Sequence, residues 1–301
     1  MLATLEGAAG ILLCCRHPDE PAASFMKFPR LRTILITPVI LFGLFYATGV
    51  IMLALDDRVV ATLEAPPADH GTIVIFGASG TAGDGILKAA LADPHIETIH
   101  VITRRATPRI EEGVAAGKVQ MTLHMDYLDY SAVHEQMATA SAVYWAIGLS
   151  SIGVDEQTYG RFPVDFPVRF VEAWLGVSGK RGMSFHYISS SDISEDSRAM
   201  WAREKVRAEK SLFALAEGTP LRVIAYRPDY IGPTDEEAQL GQRAIFWFFR
   251  PVGAAVRATE IGRAMIAVTA RGDIFENGDR LGTRSIVLHS DAYDRRVASR
   301  R

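Results

Sequence analysis

Three glycines raise the first chemical question. In "IVIFGASGTAGDGILKAAL", Gly77, Gly80 and Gly83 follow an apolar run of strand length and open a helix-like stretch. A strand–glycine–helix turn presents free backbone N–H groups and the positive end of a helix dipole to an anion. Gly77 permits the tight turn out of the strand. Gly80 leaves no side chain to block a pyrophosphate, and Gly83 lets the helix pack closely on the sheet. Ser79, Thr81 and Ala82 complete the expected phosphate cradle. The spacing is G-x-x-G-x-x-G, not the G-x-G-x-x-G of simple dehydrogenases.

The next apolar run ends "VITRRATPR". A site for NAD usually carries Asp or Glu here, to hold the ribose 2′-hydroxyl. This chain has Arg104 and Arg105 instead. A guanidinium fork can bind a 2′-phosphate and stack on adenine, so NADP (as NADPH) is expected over NAD. A solvated arginine pair is the plainer reading, and it too leaves no acid for NAD. A third run leads into "HMDYLDY". Asp126 stands where a carboxylate accepts from the adenine amino group, and Tyr127 can cover the ring; a turn aspartate is the rival reading. The fourth run ends "WAIGLSS", where Gly148 lets the backbone approach the cofactor.

These residues need a frame. Six short apolar runs read as buried strands: 72–76, 98–103, 119–124, 141–147, 184–189 and 221–226. Helix-like stretches alternate with them at 81–92, 131–139, 156–176, 197–217 and 258–270. Strand–helix alternation with continuous apolar strands predicts an α/β fold with a doubly wound parallel sheet, the Rossmann architecture. It occupies 72–301, after an N-terminal flank (1–32), an apolar segment (33–55) and a linker (56–71) stiffened by Pro66 and Pro67. "RAIFWFFRPVGAAVRA" (243–258) reads as a substrate-pocket wall or core, with a second membrane contact as the other reading.

Composition narrows the classes. Net charge is −3 over 301 residues, which gives no electrostatic case for a nucleic-acid partner. The basic end "DRRVASRR" reads as a frayed tail, with a lipid contact as the other reading. The two cysteines, Cys14 and Cys15, are adjacent, which excludes a disulfide framework and a cysteine-based zinc site. The eight histidines show no metal spacing, so no metal is expected.

"TILITPVILFGLFYATGVIMLAL" carries no charge. As a helix it is roughly 34 Å long, enough for a bilayer core of about 30 Å. It is longer than a signal-peptide core and lacks a good cleavage site, so an uncleaved single-pass anchor is expected. Met26 begins a more usual flank, and residues 1–25 could be an artefact of start choice. Arg16, Lys27, Arg30 and Arg32 precede the span, while Asp56 and Asp57 follow it. The positive-inside rule puts the domain outside. NADPH is a cytoplasmic metabolite, and the expectation adopted is the cytoplasmic face.

Taken in order, the Gly77–Gly83 loop, "DYLDY", "AIGLSS", "YISSSD" and "YRPDYIGP" resemble the short-chain dehydrogenase/reductase superfamily in its extended or atypical branch. Within it the chain is most similar to oxidoreductases related to the Tat-interacting protein. The parallels are "TRR", "MDYLDY", "YGRFPVDFPVRFVEAW" and the short gap from "SSS" to Lys205. The resemblance covers roughly 72–290. It implies a catalytic Ser, Tyr and Lys, with Tyr and Lys four apart on one helix. The tyrosine moves the substrate proton, the lysine binds the nicotinamide ribose and lowers the tyrosine pKa, and the serine holds the substrate oxygen. Ser191 takes the serine position, with Ser190 as its alternate, and Lys205 takes the lysine position. The tyrosine position holds Trp201, a donor that cannot serve as a general acid near neutral pH. Tyr187, Tyr144 and Tyr230 could substitute only by reaching the pocket. A packed helix face with a surface lysine is the plain reading of Trp201 and Lys205.

The expected function is a membrane-anchored NADP-dependent oxidoreductase or epimerase-like protein. Its substrate is a small molecule with a carbonyl or hydroxyl group. The alternative is a non-catalytic NADP(H)-binding regulator or assembly factor. A Rossmann domain kept only as a relic beside the anchor would bind no cofactor. Substrate identity and oligomeric state are not written in the sequence.

Overall fold

The computed structural model describes residues 31–55, 71–178, 182–236 and 238–298. Cys14, Cys15, Met26, most of the N-terminal flank and nearly all of the linker lie outside these residues. By compactness the chain divides into two units, Met1–Phe45 and Tyr46–Arg301.

Helix α1 (Leu31–Ala54) matches the apolar segment, with Pro38 inside it. Its stretch Ile36–Ala54, 19 residues of mean hydropathy 2.1, is long and apolar enough to cross a membrane.

The sheet is built from β1 (Gly71–Phe76), β2 (Ile96–Thr103), β3 (Val119–Leu123), β4 (Ala142–Trp145), β5 (Met183–Ile188), β6 (Leu221–Arg227) and a short strand Arg280–Gly282. Their order is β3-β2-β1-β4-β5-β6 with Arg280–Gly282 beyond β6, and every pair is parallel. The six expected strands are therefore all present. The seventh was not anticipated, because three residues carry no apolar pattern.

Side chains alternate across each strand. Ile73 and Ile75 face one core, while Val74 and Phe76 face the other. The first core is closed by α2 (Thr81–Ala92), a helix at Ala258–Thr269 and the C-terminal helix Thr283–Ala298. The second is closed by α4 (His134–Thr139), α6 (Phe166–Val177) and α7 (Met200–Ala216), the helix α3 (Pro108–Ala115) lying between β2 and β3 in the chain. Burying each large strand side chain contributes about 1.5–3 kcal/mol. Burial on both faces is why these strands read as unbroken apolar runs.

The C-terminal region departs from expectation in one place. Residues 294–298 continue the last helix, where Arg263 pairs with Asp294 at 2.8 Å and Arg296 lies over the Tyr293 ring. The start of the basic end is thus helical, not a frayed tail; 299–301 lie outside the described residues. The aromatic stretch at 243–258 forms most of a helix, Leu240–Phe249, in which only Phe246 is buried. It is not core.

Candidate functional site

The sheet order reverses between β1 and β4, and crevices at such switch points open at the carboxyl ends of the strands. Two cavities lie there. The first, with about 300 Å³ of space, is lined by Gly77, Ser79 and Gly80, by Thr103, Arg104 and Arg105 at the end of β2, and by Met125, Tyr127 and Gly148. The second, about 290 Å³, is lined by Ser189, Ser190, Trp201, Lys205, Asp229 and Tyr159, the last on α5 (Glu156–Gly160). Ile147 and Gly148 line both. The two cavities adjoin there as one crevice across the switch point.

Local geometry explains the glycines. Gly77 has φ +75°, and a Cβ on it would lie 2.5 Å from the Ala146 carbonyl oxygen. At Gly83 a Cβ would come within 2.0 Å of the Gly77 carbonyl oxygen. Both are demanded by backbone packed on backbone. Gly80 differs. Its φ is −105°, and a Cβ there would meet only Gly77 O at an ordinary 3.5 Å. The protein itself does not need glycine at that position. Thr81 and Ala82 do not line the cavity with their side chains; they begin α2, where N–H groups lack helical partners.

Arg105 reaches across to the Ser79 carbonyl oxygen at 3.3 Å, joining the end of β2 to the glycine loop. Arg104 is exposed and has no hydrogen-bond partner among the described residues. Tyr127 is buried, with its ring 5.5 Å from that of Phe166; burial raises its pKa, and nearby Arg104 opposes this. Asp126 does not line the cavity. Its carboxylate accepts the Leu128 N–H at 3.0 Å, an Asx turn that holds it on the surface.

In the second cavity the Lys205 ammonium donates to the Ile188 carbonyl oxygen at 2.7 Å and lies 4.8 Å from the centre of the Tyr187 ring. Burial pushes its pKa down to about 8, against the pull of Glu209. Glu209 is itself buried. Burial raises its carboxyl, but hydrogen bonds from Arg227 and Arg280 outweigh this and hold it low. Trp201 stands one helical turn before Lys205 and faces the same cavity. The pair is therefore not a surface helix face.

Ser191 is exposed and does not line the cavity; Ser190 does. The Ser189 and Ser191 N–H groups donate to Tyr226 and Pro228, so extended backbone continues past β5.

Among the tyrosines, Tyr187 is fully buried and donates to the Pro163 carbonyl oxygen at 3.1 Å. That carbonyl lacks its helical donor because residue 167 is proline. Tyr144 is also fully buried, within hydrogen-bond distance of Thr269. Tyr230 does not line the cavity. Tyr159, missed in the sequence, does. Its signal was the aromatic spacing Tyr159, Phe162, Phe166 along the middle helix; Phe162 and Phe166 line the first cavity. Among the described residues no cluster of His, Cys, Asp or Glu could hold a metal.

No protein-family profile matches the chain. Leucinostatins biosynthesis cluster protein T of Purpureocillium lilacinum is 29% identical over 144 residues, spanning 47% of this chain and 51% of that protein. Among solved structures, a short-chain dehydrogenase/reductase of Saccharomyces cerevisiae superposes with TM-score 0.57 at 13% identity, covering 72% of this chain and 98% of that one. A 3-oxoacyl-[acyl-carrier protein] reductase of Brucella melitensis, in complex with NAD, gives 0.55 at 16%, covering 73% and 97%. A mutant UDP-glucuronic acid 4-epimerase of Bacillus cereus, also with NAD, gives 0.55 at 16%, covering 70% and 77%. The fold is thus that of the short-chain dehydrogenase/reductases and NAD-dependent epimerases, the superfamily that the sequence motifs resemble.

Proposed function

We propose that this chain is a membrane-anchored NADP(H)-binding protein of the oxidoreductase or epimerase type, acting on a small carbonyl or hydroxyl compound. The observation that carries this is the crevice: a phosphate-sized glycine loop at one end and Lys205, Ser190 and Trp201 at the other, meeting at Ile147–Gly148.

The residues fit the dinucleotide. Free N–H groups of the loop and of α2 take the pyrophosphate, and the space above Gly80 admits it. Arg104 and Arg105 hold the 2′-phosphate, and Tyr127 backs the adenine end. Lys205 keeps two N–H donors beyond the one given to Ile188, and these serve the nicotinamide ribose. When bound, the cofactor supplies hydride chemistry. Ser190, rather than Ser191, holds the substrate oxygen.

One observation favours the second reading, a cofactor-binding regulator. Trp201 fills the place of the proton donor, and an indole N–H only donates. Tyr159 is the phenol that lines this cavity, and burial followed by the nearby Glu204 raises its pKa. Proton transfer from a positioned acid is worth about 10²–10⁴-fold in rate. The full chain, solubilised in mild detergent, is assayed for NADPH oxidation across a panel of ketones and aldehydes beside Trp201→Tyr. A gain of that order in the variant supports a weakened active site. No turnover in either protein, with NADPH binding intact, favours the regulator.

The anchor is α1, and the domain faces the cytoplasm, where NADPH is made. Protease protection in sealed vesicles tests that side.

A further inference from the structure

The helix Leu240–Phe249 is well capped yet badly covered. Gln239 and Gln242 form a reciprocal capping box at its start. Beneath it, Phe246 is buried, and a Cβ on Gly232 would lie 2.7 Å from its ring. The outward side carries Leu240 (84% exposed), Ile245, Trp247 (68%), Phe248 and Phe249. A monomeric water-soluble surface seldom gathers such a patch without a partner.

The part of α1 that folds with the larger unit runs along this helix. Tyr46, Gly49, Val50 and Leu53, spaced 3, 4 and 7 from the first, are its half-buried residues. The Tyr46 hydroxyl donates to the Phe248 carbonyl oxygen at 2.7 Å, and their rings lie 5.3 Å apart. A Cβ on Gly49 would sit 3.4 Å from Val252, and one on Gly253 would sit 3.2 Å from Leu53. The exposed aromatic side is therefore continuous with the part of α1 between Tyr46 and Leu53.

We infer that Leu240–Phe249 is a second membrane contact, lying in the lipid–water interface with Trp247 and its apolar neighbours among the acyl chains. This rests on α1 being a membrane anchor. The chemistry fits a lipid surface. Tryptophan and other aromatics concentrate at the headgroup boundary, and amphipathic helices there sink about 5–10 Å. The arginines around the helix are tied to the protein: Arg243 donates to the Asp235 carbonyl oxygen at 2.9 Å, and Arg250 forks onto Glu260 with two bonds of 2.7 Å. The contact is thus chiefly apolar and does not require an anionic lipid.

The test reads Trp247 in the full chain reconstituted into phosphatidylcholine vesicles. Trp145 and Trp174 are buried and Trp201 faces the cavity, which leaves Trp247 as the exposed tryptophan. Lipids brominated near the headgroup end of the acyl chain should quench a component of the emission, and Trp247→Phe should remove that component. Acrylamide in the water phase should reach Trp247 poorly. Vesicle-bound protein whose Trp247 is untouched by bromolipid but quenched by acrylamide overturns the inference. Shielding from both quenchers overturns it too, and points to a second copy of the chain on this face. A chain that fails to float with the vesicles instead overturns the anchor reading on which the inference stands.

Discussion

The ammonium of Lys205 donates to the carbonyl oxygen of Ile188 at 2.7 Å, tying the middle of α7 to the end of β5. The contact fixes a cation at the floor of the second cavity, next to Ser190 and Trp201. Its burial depresses the lysine to about 8 from the ordinary 10.5.

Two pH effects of opposite sign follow from that lysine. It is charged at pH 7 and loses its charge as pH rises through about 8, so NADPH affinity should weaken above that value. Lys205→Met should bind about 10–100-fold more weakly at pH 7, the worth of a charged hydrogen bond, with a flat profile across this range. Stability moves the other way. Between about 8 and 10.5 the unfolded chain holds the proton that the folded chain has released, so the wild type gains stability relative to Lys205→Met. Thermal melts and binding titrations over the same pH series check both signs.

The glycines should divide by role. Gly83→Ala forces a Cβ to within 2.0 Å of the Gly77 carbonyl oxygen, and overpacking of this kind costs about 1–3 kcal/mol. Its Tm should fall. Gly80→Ala meets nothing closer than 3.5 Å, so its Tm should hold while NADPH affinity drops by roughly tenfold or more. Equal losses of Tm in the two variants would remove the argument that Gly80 is kept for a ligand.

Replacing Arg104 and Arg105 together with alanine should cost NADPH about 10–100-fold in affinity and leave NADH nearly unchanged, since only the former carries the 2′-phosphate. Isothermal titration with both cofactors reads the difference. Parallel losses for the two would mean that the pair contacts something other than that phosphate.

If Tyr159 supplies the proton that Trp201 cannot, Tyr159→Phe should lower kcat for any substrate found by at least an order of magnitude, within the general range for acid catalysis. NADPH affinity should stay put. A variant as active as the wild type would leave that role to water or Ser190.

The frame of the fold was legible because its strands are buried on both faces and read as continuous apolar runs. The glycine loop was legible because strand, glycines and helix fall in sequence within a few residues. What escaped was short or polar. The strands Tyr230–Gly232, Ala255–Arg257 and Arg280–Gly282 are three residues each, too brief for a period. The last helix is rich in polar residues, so its beginning and end were hidden. Ser190 and Ser191 could not be separated because one residue of register flips the face. Asp126 was drawn towards adenine by its place after β3, but its own backbone claimed the carboxylate first. Tyr159 was hidden because it reaches the cavity from a helix distant in sequence from both Ser190 and Lys205.

The central claim is that the crevice binds NADPH, and fluorescence titration of the full chain in detergent tests it most directly. Nicotinamide emission should rise and saturate at one equivalent, with NADH binding more weakly and Gly80→Ala shifting the curve to roughly tenfold higher NADPH or beyond. A flat response to both cofactors from folded protein would contradict it.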